Sequence, residues 1–85
     1  MNLTELREKI AFTDKKILAS VSERMHIASE IGKVKKESET PVLNKDVEDA
    51  VISQYRTFAE EEGIDPDFAE ELAVLLMAWS KKIQE

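Results

Sequence analysis

LREKIAFTDKKILASVSERMHIASEIGKVKKES, residues 6–38, carries apolar side chains at helical spacing over an unusual length. At about 100° per residue, Leu6, Ile10, Thr13, Ile17, Val21, Arg24, Ala28, Ile31 and Lys35 fall within roughly 40° of one line along a helix. The opposite side holds Glu5, Glu8, Lys9, Lys16, Glu23, Glu30 and Glu37, so the stripe is well separated from the solvated charges. Arg24 and Lys35 nevertheless sit on it, where a helix built only to pack would carry Leu or Ile. Buried charge is costly unless paired, so these two positions call for an anionic counterpart.

Working outward, Asn2 with Glu5 three positions later makes a capping-box-like start, and the helix is predicted to run to about Ser38, with Pro41 forbidding continuation. At roughly 1.5 Å per residue its length exceeds about 50 Å. A second helix is expected from Asn44 as N-cap, with Val47, Val51, Tyr55 and Phe58 on one face and Gly63 as the left-handed residue that ends it. Asp65 and Pro66 then supply the N-cap and first position of a third, whose apolar face runs from Phe68 through Leu72, Leu75, Leu76 and Trp79 to Ile83. No strand pattern, internal repeat or low-complexity segment interrupts this reading. The expected fold is all-α, three helices per chain in a single domain over residues 1–85. Two helices of about half the length cannot cover the stripe of the first along its whole extent, so the expected assembly is an intertwined two-fold homodimeric bundle. A helical hairpin projecting into solvent is the alternative.

The 85 residues suffice for one modest core and leave no room for a second domain. A hydrophobic share of 42% beside 35% charged residues fits a folded, helix-rich chain. No apolar run approaches membrane-spanning length and MNLTELREKI lacks a signal-peptide core, so a cytoplasmic location with no membrane partner is expected. The net charge of −6 argues against nucleic acid, which selects clustered Lys and Arg. Zero Cys excludes disulfides and thiolate catalysis. His26 is the single His and falls toward the polar side of its helix, so neither a His-based metal site nor a Ser-His-acid arrangement can be assembled. Only Gly32 and Gly63 occur, too few for a phosphate-cradling loop.

Other polar residues also intrude on apolar faces. Glu48 falls between Tyr55 and Ala59 in angle on the second helix, and Ser80 and Gln84, spaced i and i+4, share a strip of the third above Ala73 and Met77. Each has a structural explanation: Glu48 neutralising Lys35 or Arg24, Ser80 bonding its own helix carbonyl, Gln84 solvated near a helix end. Taken together they describe a desolvated cationic pocket without a nucleophile. Such a site suits a small dianion, or a reaction that needs only positioning and electrostatic stabilisation. Arg7 lies on the shoulder of the stripe, 17 positions before Arg24 and so about 25 Å away along the same helix. One chain's two arginines cannot grip one small ligand, but in an antiparallel dimer the partner's Arg7 approaches Arg24.

LREKI with Asp14 beyond it, ILASVSERMHIASEIGKVKKES, PVLNKDVE, and Ser80 with Gln84 resemble the all-helical chorismate mutase family, in register over nearly the whole chain. The spacing of Arg7, Arg24 and Lys35 matches that family's three cations. The resemblance implies an intertwined homodimer that rearranges chorismate to prephenate, toward phenylalanine and tyrosine, with no cofactor and no metal. It further implies that Arg24 and the partner's Arg7 hold the two carboxylates and that Lys35 and Gln84 hydrogen-bond the ether oxygen. Glu48 would accept from the ring hydroxyl beside Asn44, and Ser80 would assist a carboxylate. One position departs from the pattern: the family usually reads D-x-x-R-E where this chain has Asp46-Val47-Glu48 preceded by Asn44-Lys45, so Val47 replaces an Arg that contacts substrate. A related branch of the fold eliminates pyruvate from isochorismate, and Trp79 is compatible with that branch. A non-catalytic helical dimerisation or regulatory module of the same fold is a further alternative.

Overall fold

The computed structural model describes residues 1–39 and 44–85. Pro41, expected to forbid helix continuation, and with it the whole PVL of PVLNKDVE lie outside the described residues. Three helices account for nearly all the rest, with no strand among the described residues: α1, Leu3–Glu37; α2, Lys45–Glu62; and α3, Pro66–Gln84.

Their ends follow from the local chemistry. At the start of α1 the Glu5 backbone N–H donates to Asn2 Oδ1 at 2.8 Å, satisfying one of the helix's orphan donors, and Asn2 Nδ2 donates to Glu5 Oε1 at 3.4 Å. The return contact of the box is thus made side chain to side chain. α1 closes with Ser38 as its cap, and Glu39 turns the chain away with a φ of 57°, the left-handed region that ends helices. Asn44 caps α2 by accepting from Val47 N–H at 3.2 Å. At the other end Gly63 takes φ 71°, with Gly63 N–H donating to the Glu60 carbonyl at 3.3 Å and Ile64 N–H to that of Ala59 at 2.8 Å. That pair of bonds is the Schellman closure, which a side chain at Gly63 would strain. Asp65 then caps α3 by accepting from Asp67 N–H at 2.8 Å, and Pro66 occupies the first turn, where a missing N–H costs nothing.

α3 is the middle element, packed against α1 on one side and α2 on the other, while α1 and α2 do not pack directly against each other. A groove floored by α3 therefore remains between them. Arg56 ties α2 to the beginning of α3, with Nη2 donating to Asp67 Oδ1 at 2.8 Å and Nη1 to Glu70 Oε1 at 2.9 Å. Its hydrogen bond to Asp67 is the largest effect and raises its pKa above the ordinary arginine value; desolvation comes next and opposes it, and the bond to Glu70 adds to the rise. The molecule measures 55 × 23 × 15 Å. Among the described residues the buried apolar side chains are all alanines: Ala28 on α1, Ala59 on α2, and Ala69 and Ala73 on α3. The small residues let helix backbones approach, but they bury little surface, and the large apolar side chains stay at least partly open. No helix among the described residues is long and apolar enough to cross a membrane.

Candidate active site

The groove widens between the C-terminal half of α1, the start of α2 and the end of α3 into a cavity of about 490 Å³. Arg24 and Lys35 reach it from α1, Asn44 and Glu48 from the start of α2, and Ser80 and Gln84 from the last turns of α3. Ile27, Ala28, Ile31, Val51 and Met77 supply the apolar remainder of its wall. Six of the seven residues expected to touch a ligand are thus brought to one cavity by three separate elements. Arg7 is not among its lining. It lies on an exposed turn of α1, well before Arg24 on the same continuous helix.

Ser80 is buried and organises the cationic side. Its Oγ accepts a 2.5 Å hydrogen bond from Arg24 Nη1 and donates to the Leu76 carbonyl at 2.8 Å, with Met25 Sδ 3.6 Å away. The self-bond to the helix carbonyl and the bond to the arginine therefore coexist: the first sets the hydroxyl's proton, which leaves a lone pair to orient the half-buried guanidinium. Arg24 also borders a second cavity of about 380 Å³, walled by Ile17, Val21, Tyr55, Leu72 and Leu76, so it stands between the two. Among the described residues Glu48 forms no ion pair with the cations of the cavity. Among the described residues the cavity is lined by Arg24, Lys35 and Lys81 and by one acid, on a largely apolar wall where low local dielectric strengthens each contact with an anion.

Asn44 lines the cavity while serving as helix cap, so its carbonyl oxygen is engaged by Val47 N–H. Val47 itself is 56% exposed and lines the rim, so it is no core residue in this chain. Gln84 Oε1 is buried and lacks a hydrogen-bond partner among the described residues. His26 is exposed, as expected. Trp79 lies outside the cavity, with Lys82 Nζ 5.6 Å from its ring centre. Among the described residues no group of three or more His, Asp or Glu is placed to hold a metal ion.

Sequence reasoning missed two contributors. Lys81, on the rim, has only the sequence signature of a solvated lysine. Gly32 is buried in α1 against the end of α3, and a Cβ placed there would stand 3.0 Å from Gln84 Cα. The available signal was a glycine within a long helix, at about 1 kcal/mol relative to alanine, which asks for a packing reason.

Residues 6–85 match the family chorismate mutase type II. The chain is 34% identical, over 98% of its length, to the bifunctional chorismate mutase/prephenate dehydratase of Escherichia coli strain K12, of which it spans 22%. It is 31% identical over 82% of its length to the T-protein of Enterobacter agglomerans, covering 19% of that protein. The chorismate mutase of Methanocaldococcus jannaschii is 25% identical over 98% of this chain and 84% of its own length. The chain thus spans about a fifth of the two longer relatives and most of the archaeal one. A match that runs through all three helices and the cavity between them means that this chain belongs to the chorismate mutase type II family.

Proposed function

We propose that this chain is a chorismate mutase, rearranging chorismate to prephenate in the route to phenylalanine and tyrosine, without a cofactor. The observation that carries the reading is the convergence of Arg24, Lys35, Glu48, Ser80 and Gln84 on one cavity of about 490 Å³. The reaction is an intramolecular Claisen shift. The ether C–O bond breaks while a new C–C bond forms, six electrons move round one ring of atoms, and no atom, proton or electron is exchanged with the protein. A site without a nucleophile therefore suffices if it holds the compact diaxial conformer and stabilises the negative charge that builds on the ether oxygen.

Each residue takes a role its position allows. Arg24, oriented by Ser80, binds a carboxylate. Lys35 and the amide of Gln84 donate to the ether oxygen, and Glu48, with Asn44 beside it, accepts from the ring hydroxyl. The second carboxylate falls to Arg7 of another copy, because about 25 Å of helix separates the two arginines within one chain. We infer that two chains pair through α1 into a homodimer with shared sites, working in the cytoplasm on this small-molecule substrate, with neither nucleic acid nor membrane as partner.

The test is to mix purified protein with chorismate, follow the loss of its ultraviolet absorbance and identify the product chromatographically. Prephenate is the expected outcome; pyruvate would move the assignment to the isochorismate-type branch, and no product to a non-catalytic helical module. Shared sites are tested by mixing Arg7→Ala chains with Arg24→Ala chains, each inactive alone. Random reassociation leaves one intact site in every heterodimer, so about a quarter of wild-type activity returns. No recovery after verified exchange would exclude sharing.

A further inference from the structure

Gln84 has to present its amide to the reacting atoms, yet no hydrogen bond fixes its carbonyl oxygen: Oε1 is buried without a partner among the described residues. Packing must set its position instead. The packing is unusually tight on one side. A Cβ built on Gly32 would lie 3.0 Å from Gln84 Cα, 3.1 Å from Cγ and 3.2 Å from Cβ, against the 3.5–4.0 Å or so at which carbon atoms sit comfortably. The clash involves backbone as well as side chain, so rotating Gln84 does not relieve it. Only retreat of the end of α3 from α1 does.

Gly32 also holds no special backbone conformation, since it sits inside α1 with helical neighbours and its φ lies outside the left-handed region. Conformational freedom does not explain a glycine here; the missing side chain does. Its neighbours in the helix make the consequence local. Lys35 is one turn further along α1, and Ala28 one turn back, both lining the cavity that Gln84 enters. The same backbone approach thus sets the separation between the cation on α1 and the amide on α3.

We propose that Gly32 is a positioning residue for the reaction: its bare Cα is the seat on which the last turn of α3 rests, and this seat sets the distance from the Gln84 amide to the ether oxygen and to Lys35. The inference rests on the mutase reading for its catalytic consequence and on the packing alone for its geometry. A methyl group at position 32 pushes the end of α3, and the amide with it, back by a few tenths of an ångström. A misplacement of about 1 Å can cost about 100-fold in rate, so one of a few tenths costs about 3- to 10-fold.

The experiment is a double-mutant cycle. Gly32→Ala should lower kcat by about 3- to 10-fold with KM changed less than about twofold, because the contact it disturbs is made in the transition state. In a Gln84→Ala background the same substitution should cost less than about twofold, since no amide remains to misplace. Full kcat in Gly32→Ala, or an equal loss in both backgrounds, would overturn the proposal, the second by making Gly32 a structural residue only. Should Gly32→Ala fail to fold by circular dichroism, the wild-type protein answers the geometric half: nuclear Overhauser contacts between the Gly32 α-protons and the Gln84 β- and γ-protons are expected, and their absence sinks the seat. A wild type inert toward chorismate that shows those contacts would instead reject the functional reading and leave the seat standing.

Discussion

The two halves of α1 carry one continuous stripe but meet different fates. From Arg24 onward the helix meets α3: Ala28 on the stripe and Gly32 beside it are buried, Arg24 and Lys35 are half-buried at the cavity, and Ile31 is 43% exposed on its wall. Before Val21 none of it is buried among the described residues: Leu6, Ile10 and Ile17 are 45%, 62% and 55% exposed, with Ile17 on the wall of the second cavity beside Tyr55, Leu72 and Leu76. The apolar pattern does not change between the halves, so the sequence asks for burial in both, while one chain buries or half-buries stripe residues only from Val21 onward. A contiguous apolar surface of this kind marks an interaction site. The covered half carries the cavity's Arg24 and Lys35, and the open half carries Arg7, which the proposed function draws from another copy.

The largest effect is expected where the open half is broken. Ile17 borders the second cavity as well as the open stripe. Burying a side chain of its size is worth roughly 1.5–3 kcal/mol, and a two-fold interface counts each substitution twice. Ile17→Glu should therefore raise the dimer dissociation constant by about 10²–10⁴-fold, read by analytical ultracentrifugation across a dilution series. A fully active monomer, in this variant or in the wild type, would break the comparison outright.

The next effect belongs to the covered half. If Lys35 stabilises charge that appears only in the transition state, Lys35→Ala should lower kcat by about 10²–10³-fold, as removal of a preorganised donor does elsewhere. Steady-state kinetics separates the cases: a loss confined to KM would make Lys35 a ground-state contact, and unchanged turnover would make it structural. Melting curves accompany the measurement, because truncating a partly buried charge can also unsettle a small domain.

The difference between the halves also explains what the sequence made legible. Four of the six helix ends could be read because each is written in local chemistry: Asn2, Asn44 and Asp65 accept from backbone N–H groups, and Gly63 takes the left-handed turn. The polar lining of the cavity was legible as residues out of place on apolar faces: Arg24, Lys35, Glu48, Ser80 and Gln84. Residues whose role depends on what faces them were not. Gly32 has no polarity to be out of place, Lys81 looks like any solvated lysine, and Arg56 reveals its hold on Asp67 and Glu70 only once α2 and α3 are set side by side. Helical periodicity reports which face is buried, never how closely the next backbone approaches.

Val47 sharpens the comparison with the smallest effect. It stands directly before Glu48, where the family pattern carries Arg, and its place on one helix face with Val51 and Phe58 allows two opposite outcomes: a lost substrate contact that Arg would restore, or a core side chain that Arg would disrupt. With Val47 56% exposed on the cavity rim, the first is favoured. A buried charge-assisted hydrogen bond brings roughly 1.5–3 kcal/mol, but at an open rim solvent and side-chain entropy take back much of it. An added cation also meets repulsion from Lys35 and Lys81 while the cavity is empty, which a dianionic ligand relieves on binding. Val47→Arg should thus raise kcat/KM by about 3- to 10-fold, with the gain shrinking as salt rises and the melting temperature nearly unchanged. Steady-state kinetics at two ionic strengths and a melting curve decide it. Lower stability with no catalytic gain would mean that Val47 is covered in the assembled protein, extending the partner's reach from the open half of α1 to the rim of the site.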